Sequence, residues 1–131
     1  MAFVLLNPSR ADAVRDDPTI RRCVGFARRW GFGSLFVVNL FALRATKPKD
    51  LFADPDPVGP ENDRHLAAVA RRARAVVVGW GNHGSRHGRD ARALACIPAR
   101  RPLLCLGITR QRAPRHPLYL RKGTVPRIFA R

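Results

Sequence analysis

A chain of 131 residues with 46% hydrophobic content is long enough for one domain with a real core, and no apolar run approaches the ~20 residues that span a bilayer. Three cysteines, Cys23, Cys96 and Cys105, are an odd number in apolar settings without any C-x-x-C spacing, which suits reduced core thiols better than a disulfide framework and argues against a cluster or zinc held by cysteines alone. A formal net charge of +16, from 25 Lys and Arg against 9 Asp and Glu, points to polyanionic partners, DNA or a nucleotide first, although an arginine-rich composition spread along the chain also follows from a GC-rich genome.

Residues 2–6 form a continuous apolar run, too short for a helix, and read as a strand buried on both faces. The start has no basic region before its apolar run, so it is not a signal peptide, and the expected setting is cytoplasmic with no membrane contact. Asp17 as a cap and Pro18 in the first turn announce a helix over residues 18–30, with Ile20, Cys23, Val24, Ala27 and Trp30 at helical spacing and Gly31 as its stop. Residues 35–41 are β-branched and aromatic and give the second strand. Residues 44–60 hold Pro48, Pro55, Pro57 and Pro60 among Asp50, Asp54 and Asp56, a composition that predicts a long ordered loop or a lid. A helix over residues 60–74, a third strand over 75–80, a glycine- and histidine-rich segment over 82–88, a helix over 88–96 and a fourth strand over 102–107 follow. The tail from Arg121 adds at most a short edge segment.

This order, strands alternating with helical crossovers, predicts a single α/β domain over residues 1–131. It is a three-layer sandwich around a four-stranded parallel sheet. All four strand ends then open on one rim, carrying Asn7-Pro8-Ser9, Asn39, Trp80-Gly81-Asn82-His83 and Arg115-His116-Pro117. Loops at the carboxyl ends of such strands are where ligands bind.

At these loops the chain resembles a bacterial and phage family catalogued as domain of unknown function 1643. The resemblance lies in Leu6-Asn7-Pro8-Ser9 with Ala11-Asp12, Asp16-Asp17-Pro18-Thr19-Ile20-Arg21-Arg22, Val38-Asn39-Leu40-Phe41, Asp56-Pro57-Val58-Gly59-Pro60, Trp80-Gly81 and Pro114-Arg115-His116-Pro117-Leu118-Tyr119. Arg10 stands where that family usually has Thr. The family implies no activity of its own. A second resemblance, to uracil-DNA glycosylase-like folds, rests on Leu5-Leu6-Asn7-Pro8-Ser9 after the first strand and His116-Pro117-Leu118 after the last. Leu5 replaces the motif's glycine there, and Leu118 its serine.

That second resemblance implies hydrolysis of an N-glycosidic bond in DNA, with Asn7 and His116 as catalytic residues. Asn7 would hold the water, Pro8 would fix its loop, and His116 would donate to the departing base. Asn39 would read the base edge, while Ser9, Asp12, Trp80, Arg115 and Tyr119 complete the substrate site. No cofactor or metal is implied. Each residue has a structural alternative: Asn7 as a turn former, His116 as a loop histidine bonding backbone, Asn39 as a strand-end group satisfying main chain, Trp80 as half-core. Two further functions stay open, a non-catalytic nucleic-acid- or nucleotide-binding module, and a metal-dependent phosphoesterase using Asp12, Asp16 and Asp17. A metal held by His83, His87 and Asp90 is disfavoured because Gly84 and Gly88 interrupt their spacing.

Overall fold

Four short parallel strands carry the fold in the computed structural model, which describes residues 1–8 and 17–131. They are β1 (Ala2–Leu5), β2 (Phe36–Asn39), β3 (Val76–Val78) and β4 (Leu103–Cys105). A fifth, β5 (Arg127–Ile128), pairs antiparallel with β4, so the sheet reads β2-β1-β3-β4-β5. The expectation of four strands is corrected here. The tail returns to β4 without a helical crossover, and a direct return of this kind pairs antiparallel; Phe129 N–H donates to the Leu103 carbonyl at 2.9 Å.

Side chains alternate across the sheet as strand geometry requires. Met1, Phe3, Leu5 and Val77 point to one face, where α1 (Pro18–Arg29) brings Cys23, Phe26 and Ala27. Ala2, Val4, Val76 and Val78 point to the other, where α3 (Asn62–Arg72) brings Leu66, Val69 and Ala70 and α4 (Arg89–Ala95) brings Ala93. Helices thus cover both faces. β1 and β3, at the centre of the sheet, are buried on both faces, whereas β2 at the edge is half-buried; burying each Val, Leu or Phe is worth ~1.5–3 kcal/mol.

The start of α1 follows its sequence signals. Asp17 accepts a hydrogen bond from Thr19 N–H at 2.8 Å, and Pro18 occupies the first turn, where its missing N–H costs nothing. Residues 44–60 differ from expectation, because they contain a short helix, α2 (Pro48–Ala53), that buries Leu51. Pro48 sits at its start, the one helical position that suits proline, and the helix ends before Pro55. The glycine- and histidine-rich segment is a 3-10 turn over Asn82–Gly88, broken at Arg86 and His87 by non-helical backbone. All three cysteines are free; Cys23 and Cys105 are buried, and burial with the nearby Asp17 charge pushes the Cys23 thiol up to about 12.

The strand order has one further consequence. From β1 the chain passes to β2 on one side, then to β3 on the other side of β1, so the connections leave β1 and β3 in opposite directions. The crevice beyond the carboxyl ends of β1 and β3 is the topological switch point, where open α/β sheets place their ligands.

Candidate functional site

Two cavities that share a wall open at these strand ends, the larger at the β1–β3 crevice and the smaller beside it, beyond β1 and β2. One, of about 370 Å³, is lined by Leu5, Asn7 and Pro8 after β1, Asn39 at the end of β2, Asp17 and Thr19 at the start of α1, and His116. Its neighbour, of about 450 Å³, is lined by Leu6 and Asn7, the β3 exit from Trp80 to His83, Thr109, and Arg115, His116 and Tyr119. Asn7, Thr46 and His116 border both. Each volume lies in the range of small-molecule sites.

The wall is built from main-chain contacts. Residues after β4 turn back on themselves, with Thr109 N–H bonded to the Ala113 carbonyl at 2.8 Å and Arg115 N–H to the Gly107 carbonyl at 2.9 Å. The returning segment then crosses the β3 exit, where Gly81 N–H donates to the Pro114 carbonyl at 2.8 Å. Gly79 makes this crossing possible. A Cβ there would lie 3.1 Å from both the Arg115 carbonyl oxygen and Pro117 Cδ, so a larger residue would push His116 away from β1.

Asn7 is held by its own amide. Its Nδ2 donates to the carbonyls of Ala45 at 2.8 Å, Pro8 at 3.1 Å and Leu43 at 3.3 Å, which ties the β1 exit to the segment after β2. Both amide hydrogens are therefore spent on main chain, and among the described residues no donor reaches its Oδ1. Asn7 thus bonds main chain, as its structural alternative expects, mostly to a segment distant in sequence, and the residue borders both cavities.

His116 is fixed in one tautomer. Leu118 N–H donates to His116 Nδ1 at 3.2 Å, so in the neutral ring the proton resides on Nε2. Burial pushes the imidazole below its ordinary value, and the Asp17 charge pulls it partly back. The group is thus a neutral ring with an N–H donor, in a cavity that Asp17 and Arg44 also line. Tyr119 stands 83% exposed, its ring 5.8 Å from the His116 ring.

Other expected residues separate. Pro8 and Asn39 line the smaller cavity, and the Asn39 carbonyl is held by Asn62 Nδ2 at 2.9 Å. Arg115 and Tyr119 line the larger one. Trp80 also borders it but is 3% exposed, edge-on to Phe129, so most of its ring belongs to the core. Ser9 and Asp12, like Asp16, lie outside the described residues. His83, His87 and Asp90 do not share a helical face, since His87 adopts left-handed backbone. Among the described residues no group of three His, Cys, Asp or Glu is placed to hold a metal ion.

Sequence reasoning gave no cleft role to Thr46 or Thr109, put Asn82 on the rim without a partner, and gave Asp17 a site role only in a metal-dependent reading; Thr109 Oγ1 donates to Asn82 Oδ1 at 2.6 Å on the cleft wall. The place of Asp17 beside His116 was masked by its capping role. Thr46 and Thr109 sit in polar loops with no motif to single them out.

A family model described as "Protein of unknown function (DUF1643)" matches residues 1–118. No curated protein and no solved structure matches the chain.

Proposed function

The chain belongs to the DUF1643 family, whose description names no reaction, and from that premise we propose that its cleft recognises a nucleobase or nucleotide and hydrolyses the N-glycosidic bond to the base. One observation carries this reading: Asn7, Asn39 and His116, from three separate strand ends, border one cavity of about 370 Å³. The uracil-DNA glycosylase-like arrangement inferred from the motifs is part of the same proposal.

Cleavage of this bond builds positive charge on the sugar and negative charge on the departing base. A neutral His116 with its proton on Nε2 donates to a base oxygen as that charge grows, which a preorganised donor does most effectively in a water-poor site. The Asn39 amide offers a donor and an acceptor to a base edge. Asn7 Oδ1 accepts from the attacking water. Water adds to the sugar carbon as the bond to the base nitrogen breaks, and the proton the water loses ends on the departing base.

A second reading also has support. With both amide hydrogens of Asn7 committed to backbone, the residue acts as a tether, which suits a module that binds without cleaving. Oligonucleotides carrying deaminated or alkylated bases separate the two, read as alkali-labile strand breaks alongside binding. Release of base by the wild-type chain, lost in His116→Ala and Asn39→Ala with the strand still bound, supports hydrolysis. Binding that depends on Asn39 and His116 with no product at enzyme excess gives the binding module instead.

A further inference from the structure

We propose that a third cavity, between α1 and the segment that follows His116, binds the phosphodiester backbone of a single nucleic-acid strand whose base enters the cleft. The proposal rests on the nucleobase reading above and specifies its substrate as a polymer rather than a free nucleoside or nucleotide.

The cavity measures about 400 Å³ and presents Arg21, Arg22, Arg29 and Lys122 around Gly25 and Phe26, with no carboxylate among its described lining residues. Arg22 donates through its guanidinium to the Leu120 carbonyl, which ties the tail to the helix and builds the far wall. That tail adds only positive charge, because the sequence holds no Asp or Glu after Asp90. Arg21 to Arg29 spans ~12 Å of helix at 1.5 Å per residue, a row suited to successive phosphates more than to one ion.

Gly25 gives an independent indication. It lies in the middle of α1, where glycine is among the poorest helix formers, yet a Cβ there would meet nothing within 4 Å. Packing does not require it. What its missing side chain does is leave the floor between the arginines open to a ligand. The cavity also adjoins the cleft: Pro18 and Leu118 line it, while Asp17, Thr19 and His116, their chain neighbours, line the base site. A strand with one base in the cleft therefore lays its flanking backbone along α1.

The test is fluorescence anisotropy of a dye-labelled single-stranded oligonucleotide across a salt series, with the full chain. Replacing two phosphate contacts in Arg29→Gln/Lys122→Gln should weaken binding by about tenfold at low salt and flatten the log–log salt slope by ~1.4, at ~0.7 per contact. Gly25→Gln should weaken binding while leaving the melting temperature unchanged or higher, which separates a filled groove from a damaged fold. Wild-type affinity and salt slope in both variants would overturn the proposal, as would a nucleoside triphosphate that needs Arg29 and Lys122 when the oligonucleotide does not. Failure of the base reading looks different: strand binding then still depends on Arg29 and Lys122 but ignores base identity and Asn39→Ala.

Discussion

The side-chain amide of Asn7 donates to the main-chain carbonyl of Ala45 across 38 residues of sequence, at 2.8 Å, and with its bonds to Leu43 and Pro8 closes one side of the cleft. Asn7→Ala removes donors from three partly buried carbonyls, so it should cost about 1–3 kcal/mol in urea unfolding. Asn7→Asp should cost more, since it sets a carboxylate against those oxygens. Amide exchange in residues 43–46 should accelerate in both variants. Unchanged exchange there would mean that the tether does not hold this segment.

His116 makes pH a direct probe of the wall between the cavities. Burial lowers its folded-state pKa below the ordinary 6.5. Between the lowered value and 6.5 the unfolded chain holds more protons than the native one, so stability rises with pH across that window. The His116 contribution is complete above 6.5 and is lost as pH falls through the folded-state value. Asp17→Asn keeps a capping side chain but removes the charge that raises this pKa, so the titration should move lower still. Proton NMR of the imidazole checks both; a midpoint at or above 6.5 in the wild-type chain contradicts the burial argument.

Arg89 is 3% exposed, with NH1 2.5 Å from Asp63 Oδ1 and Nε donating to the Leu40 carbonyl at 2.6 Å. Leu40 also accepts from Asn62 Nδ2 at 2.8 Å. Replacing Arg89 with Met therefore leaves that carbonyl bonded, and the loss should be small, about 1 kcal/mol or less, because well-packed apolar replacements of buried charges are often neutral. Asp63→Ala leaves the guanidinium buried without its counter-charge and should cost more, about 2–4 kcal/mol, toward the low end because Asp63 is 39% exposed. Equal losses in the two variants would show that packing, not charge, sets the cost.

Strong local patterns made much of this fold legible in the sequence. The apolar runs around Phe3, Val38, Val77 and Leu104 are too short for helices and all form strands, those of Phe3 and Val77 buried on both faces, and Asp17-Pro18 marks the start of α1. Convergence of Asn7, Asn39 and His116 followed from parallel strand order. What stayed hidden depends on contacts distant in sequence. The tail reads as a short edge segment at most, and nothing local marks that it pairs antiparallel with β4, that α2 forms because Leu51 finds a core to enter, or that Asn7 spends its amide on Ala45. The cationic row of α1 was visible only as arginines off an apolar face, since the segment opposite it lies some ninety residues later in the chain.

Gly84 bears on the larger cavity through Trp80. A Cβ at Gly84 would fall 2.0 Å from Trp80 Cδ1 and 2.6 Å from Cγ, so the indole lies directly against the glycine backbone. Neither partner has room to yield, because Trp80 is 3% exposed and its other edge meets Phe129 at a centroid distance of 6.1 Å. Gly84→Ala should therefore destabilise by about 1–3 kcal/mol through overpacking. Trp80 and Asn82 border the cavity shared with His116, so a displaced indole should also alter Trp fluorescence and weaken nucleotide binding. Trp80→Phe in the Gly84→Ala background offers a smaller ring and should recover part of the lost stability; no recovery would mean that the clash lies with the backbone of the 3-10 turn rather than with the indole.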